Sequence, residues 1–463
     1  MSEFATLYLE EIPARDDEED GVTEPTYTDA PEDDEDAAAA PPDAAAADEN
    51  STPGDAASAS SNAASASSTS KAKAKKKKRR RGAKKKRALH WSCRVVQPKA
   101  RPTGRGGASL VADGNYLYLF GGADRTATHF GDLWRYDCVQ TRWARLRTKG
   151  EGPSARADHA CVNLGDGRLL IQGGADLKNE VMYDDAFLLD LESLRWTQVA
   201  TTGTKPFGRN GHSMVVVTPG ELLVFGGASP EEGPQNDMYV LRLTGEAEGV
   251  WEQLTWEGEG PPERDLHAGC VISLGENSTS ASGDIAEEAP EDVTGDAGCD
   301  EAKVPETPQT EGDAGEPAVE SSAAPTESKT PARRNGMCVI GGRGVMGNVF
   351  DDAWVFDLAA GTWSRLRSLP GPRCAAAAAT LEVDGQEVVV LQGGWDGATS
   401  ISGDLYAFTV REGGWSSAGV SETPRFGGCG CAGASGEDLY VFGGINPGAD
   451  LADVMVLRGA PAP

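Results

Sequence analysis

The chain has 463 residues and a formal charge of −29, with 72 Asp and Glu against 43 Lys and Arg. Such an acidic balance disfavours nucleic acid as the ligand of its folded body. No run approaches the roughly 18 apolar residues of a membrane span, so no membrane partner is expected.

Residues 1–70 carry 19 acids and one base, Arg15, in sequence rich in Ala, Ser and Pro. With so little to bury, this tail cannot offset its ordering entropy and is predicted to be disordered. Its first 20 residues lack the basic start and apolar stretch of a secretory leader. Residues 71–87 then bring 13 bases and no acid. The dense part is Lys75, Lys76, Lys77, Lys78, Arg79, Arg80, Arg81, Lys84, Lys85, Lys86 and Arg87. Three uses fit this run: an import signal read by an importin, a non-specific tether to the phosphates of RNA, DNA or ribosomes, or a solvated charge run held by the acidic segments. It contains no Phe, Tyr or Trp, so base stacking adds nothing. The expected location is nuclear or nucleocytoplasmic.

From residue 88 to 460 the chain repeats itself. Gly-Gly pairs begin at Gly121, Gly173, Gly226, Gly341, Gly393 and Gly443. Each closes a β-rich run, at 116–120, 169–172, 222–225, 337–340, 388–392 and 439–442. Five are followed after 22, 23, 25, 22 and 22 residues by Trp143, Trp196, Trp251, Trp363 and Trp415. One interval is 115 residues instead of about 52, because an acidic segment, 276–335, with 15 acids and four bases, separates strand 267–274 from strand 337–340. It too is predicted to be disordered.

A period near fifty residues marks one supersecondary unit copied around an axis. The run Arg-x-x-His, strand, Gly-Gly, loop, Asp, then Trp resembles the kelch-repeat β-propeller family. The best matches are Arg156, His159, Gly173-Gly174, Asp184-Asp185 and Trp196, and then Arg209, His212, Gly226-Gly227, Asp237-Met238-Tyr239 and Trp251. No tryptophan follows Gly444, yet Trp91 stands 52 residues before Trp143. Strand 89–96 is therefore predicted to complete the last blade. The expectation is an all-β, six-bladed kelch-type propeller closed by its N-terminal strand, and a monomer.

In that family strands a to d run outward from the axis, and the d–a and b–c loops share one face. The resemblance places Arg105, Arg156, Arg209, Arg264, Arg373 and Arg425 around the channel mouth on that face. His159, His212 and His267 follow three of them; Ala108, Ala376 and Gly428 take the place elsewhere. Guanidinium groups there can receive an acidic peptide or a terminal carboxylate, or they brace the blades through backbone carbonyls. Trp395, directly after a Gly-Gly pair, reads as an interface anchor or as a side chain covered by its own loop. Nine cysteines without CxxC spacing read as reduced thiols.

Propellers host enzymes as well as scaffolds. A copper oxidase of the galactose-oxidase kind needs Tyr and His ligands, and three of the five histidines are committed to the repeat. No metal site, cofactor or catalytic residue is assigned. The expected function is a non-enzymatic scaffold binding a protein or acidic peptide at the d–a/b–c face. The alternative is an RNA-, ribosome- or chromatin-associated factor tethered by its basic arm.

Overall fold

The computed structural model describes residues 89–274 and 334–461. The acidic tail, the basic run and most of the acidic insert lie outside the described residues, and with them the expectations placed on Lys75 to Arg87. The described chain forms six larger sheets, the blades, each built on four antiparallel strands, and three two-stranded ribbons in the b–c loops of blades 2, 3 and 6. Blade 1 comprises Ser109–Asp113, Tyr116–Phe120, Leu133–Asp137 and Arg142–Leu146. Blade 2 comprises Ala160–Asn163, Arg168–Gln172, Ala186–Asp190 and Arg195–Gln198. Blade 3 has Ser213–Thr218, Glu221–Phe225, Met238–Leu243 and Glu248–Leu254, plus a fifth strand, Ala200–Gly203, parallel to its outer edge.

Blade 4 is built from Ala268–Leu274, Arg334–Ile340, Ala353–Asp357 and Thr362–Leu366. Its second strand starts at Arg334, so the last two residues assigned to the insert belong to the sheet. Backbone pairing with Ser273 and Leu274 extends the ladder that far. Blade 5 holds Ala377–Val383, Gln386–Gln392, Asp404–Thr409 and Gly414–Val420. Blade 6 takes Cys429–Ala432, Asp438–Phe442 and Val454–Pro461 from the end of the chain and Leu89–Val96 from its start, in the order expected for closure.

The second strands are apolar without alternation because each blade is covered on both faces by its neighbours. In blade 1, Leu117 and Leu119 point toward blade 6 while Tyr118 and Phe120 point toward blade 2. The same division recurs in blade 3, with Leu222 and Val224 on one side and Leu223 and Phe225 on the other. Six apolar clusters result, one at each blade interface. The outer-strand tryptophans wedge into them. Trp196 meets Phe120 of the preceding blade at 5.5 Å, Trp363 meets Phe225 at 5.1 Å and Trp143 meets Phe442 at 5.1 Å, all edge to face. Such pairs add about 0.5–1.5 kcal/mol beyond area burial.

Trp91 differs. It is only partly buried, packed beside Leu89 on the cluster between blades 5 and 6. The edge strand carrying it faces solvent along much of its length.

Candidate functional site

Both residues of every Gly-Gly pair have positive φ, from 59° to 107°. A side chain is excluded at either place. A Cβ on Gly173 would lie 2.7 Å from the His212 ring, and one on Gly174 would lie 2.7 Å from the His159 Cβ. The first glycine thus lets the next blade's arginine motif approach the backbone, and the second lets its own blade's motif do so. Each second glycine N–H donates to the carbonyl of the next blade's arginine, as from Gly122 to Arg156 and, closing the circle, from Gly444 to Arg105, both at 2.8 Å.

The six arginines do not form an open rim. Their side chains are between 0 and 10% exposed. Each Nη1 donates to the carbonyl of the first glycine of its own blade, Gly121, Gly173, Gly226, Gly341, Gly393 or Gly443, at 2.8–3.2 Å. Each guanidinium also pairs with an aspartate at the start of the third strand. The pairs are Arg105–Asp132, Arg156–Asp185, Arg209–Asp237, Arg264–Asp352, Arg373–Asp404 and Arg425–Asp453, at 2.6–2.9 Å. Burial by itself raises the Asp352 pKa, but the hydrogen bonds and charge of Arg264 more than offset it, and the carboxyl lies below its ordinary range. The arginines therefore tie the b–c loop to the start of strand a within each blade, with their charge already matched.

The histidines are equally internal. His159 Nε2 meets Ser109 Oγ of the preceding blade at 2.8 Å, and His267 Nε2 meets Ser213 Oγ at 2.7 Å. Burial first, and the neighbouring arginine second, depresses the pKa of His159 and His212 to about 3 and that of His267 well below normal. An unfolded histidine near 6.5 binds a proton that the folded one refuses, so stability falls as pH drops from 6.5 toward 3. Asp158, raised to about 6 by burial and then by Asp265, works the other way between 6 and 3.8, but over a narrower span than the two histidines. The melting temperature is therefore expected to fall from pH 7 to pH 5. Substituting His159 and His212 together by Gln should flatten that slope; a Tm that rises toward pH 5 would contradict it.

Sequence reasoning missed what lies between arginine and histidine. The third residue of each motif, Gly107, Asp158, Gly211, Leu266, Ala375 or Gly427, has a φ of 50–66°. Their backbones form a closed circle of six hydrogen bonds around the axis. Each N–H donates to the same position in the preceding blade at 2.7–2.9 Å, and Gly107 completes it by donating to Gly427. Left-handed backbone at Asp158, Leu266 and Ala375 costs on the order of 1 kcal/mol each, and the circle holds it. Three glycines among six equivalent positions were the available signal.

The residue after each Gly-Gly pair bridges to the second residue of the arginine motif. It is Ala123, Ala175 and Ala228 in blades 1–3 but Arg343, Trp395 and Ile445 in blades 4–6. Trp395 thus occupies a recurring position, partly buried, between Cys374 and Ile401. Arg343 forms an ion pair with Asp265 at 2.7 Å. Beside them, between the b–c loops of blades 2, 3 and 4, is a cleft of about 220 Å³ lined by Leu177, Met182, Pro230, Pro234, Arg343 and Met346 among others. Met346 is 96% exposed.

The eight described cysteines are free thiols. Among the described residues no three His, Cys, Asp or Glu side chains are grouped so as to hold a metal ion.

Residues 86–174 and 159–277 match the family model of the KLHDC2/KLHL20/DRC7 kelch-repeats domain. The matched stretch covers blades 1 to 3, and with the repeated motifs and the six blades the described residues form a kelch-repeat β-propeller. Similar proteins include acyl-CoA-binding domain-containing protein 5 of Arabidopsis thaliana, 30% identical over 178 residues, 38% of this chain and 26% of that protein. Acyl-CoA-binding domain-containing protein 4 of the same plant is 34% identical over 171 residues, 37% of this chain and 24% of that protein. Adagio-like protein 3 of Oryza sativa subsp. japonica is 30% identical over 193 residues, 39% and 30% of the respective chains. The chain spans less than a third of each of these relatives.

Proposed function

We propose that the propeller is a non-enzymatic scaffold that binds a protein partner on the face carrying the d–a and b–c loops. The observation that carries this is the set of exposed apolar tips there: Phe207 at 71%, Val345 at 50% and Met346 at 96%. Large side chains so placed are costly unless something covers them. Their loops are anchored from within. The Phe207 carbonyl accepts Arg209 Nε at 3.2 Å, and Phe350, in the Met346 loop, stacks on the Arg264 guanidinium at 4.3 Å. A surface held this way loses little entropy on binding.

The arginines, each already paired with an aspartate, support bracing better than carboxylate capture. A photo-crosslinking residue at Val345 is expected to label a partner in cells. The same residue at Val139, exposed in a c–d turn on the opposite face, should not. Labelling from 139 that equals labelling from 345 would refute the assignment of the face.

A further inference from the structure

We infer that the partner enters the blade 2–4 side of the mouth as a peptide segment carrying an apolar side chain next to a lysine or arginine. This rests on the proposed binding face and adds the chemistry of what it binds. The cleft supplies the apolar half. Leu177, Met182, Pro230, Pro234 and Met346 surround about 220 Å³, the liquid volume of roughly seven waters at ~30 Å³ each and enough for one large side chain.

The charge half comes from the same loops. Residues 175–184 and 228–236 hold five acids, Asp176, Glu180, Asp184, Glu231 and Glu232, against Lys178 alone; Asp184 pairs with Lys205 and the buried Asp176 lies 3.3 Å from His129, which leaves the three glutamates to face outward. Glu180, Glu231 and Glu232 are exposed around the opening. Deeper in, the Arg343 charge at the cleft wall is matched by Asp265 at 2.7 Å. The six arginines that could have attracted an acidic ligand are each paired with an aspartate. What the mouth presents outward on this side is therefore apolar surface ringed by carboxylates, which favours a cation and repels an acid.

The test uses the full-length protein and an immobilised array of twelve-residue peptides centred on Leu-Lys, Leu-Arg, Leu-Ser, Leu-Asp or Leu-Glu. The Leu-Lys and Leu-Arg peptides are expected to bind at least tenfold better than the acidic ones. Met346→Ser should weaken every binding peptide. Glu231→Gln combined with Glu232→Gln should weaken the basic peptides severalfold and leave Leu-Ser unchanged. Matching melting temperatures would show that both variants fold. Acidic peptides binding best, with Met346→Ser abolishing the signal, would overturn the inference while leaving the binding face intact. Signals indifferent to both variants would overturn the two together.

Discussion

A chain beginning at Gln97 is expected to lose cooperative unfolding and to aggregate, whereas one beginning at Ala88 should melt with the full-length protein. The difference is Leu89–Val96. It pairs along its whole length with Val454–Pro461, from Leu89 opposite Pro461 to Val96 opposite Val454. Without it, an eight-residue strand is left as an unpaired apolar edge, the template for intermolecular pairing. Leu89 and Trp91 also leave the cluster between blades 5 and 6, and Val96 leaves the one between blades 6 and 1. The loss is therefore spread over two interfaces and a backbone ladder. Trp91→Ala alone should cost less than the ~3–5 kcal/mol of a fully buried aromatic, because Trp91 is only partly covered. Thermal melting and gel filtration of the two truncations decide it. Equal midpoints would show that the ring does not depend on this strand.

Arg264→Met is expected to cost about 3–5 kcal/mol, the usual penalty for breaking one side of a buried ion pair. It strands the Asp352 carboxylate and the Gly341 carbonyl, which Arg264 reaches at 2.6 and 2.8 Å. Only the bond from Trp354 Nε1 to Asp352, at 2.7 Å, remains. A second change, Asp352→Leu, should recover part of the loss, since an apolar pair leaves less charge unmatched. Arg264→Lys should fall between, because an ammonium cannot span both carboxylate oxygens and the carbonyl in one plane. Denaturant midpoints of the four proteins check the order. A variant that melts normally yet loses its partner would make the arginine a ligand group instead of a brace.

The sequence by itself determined the number of blades, the closing strand and the place of the insertion. All three rest on spacing, and spacing survives whatever the side chains do. It also named the arginines and histidines correctly as repeating elements. It did not reveal that their polar groups turn inward, because Arg-x-x-His has the same spelling whether its guanidinium faces solvent or a glycine carbonyl of its own blade. That was decided by the Gly-Gly turn, whose missing Cβ atoms let the next blade's backbone come close, and by aspartates about 27–31 residues away (88 in blade 4) that complete each pair. The axial circle of hydrogen bonds depends on six segments meeting at one place, and no single repeat contains that information. The difference between Ala123, Ala175 and Ala228 on one side and Arg343, Trp395 and Ile445 on the other is visible in the sequence. Only closure of the ring turns it into an asymmetric mouth, with Met346 and its cleft at one edge.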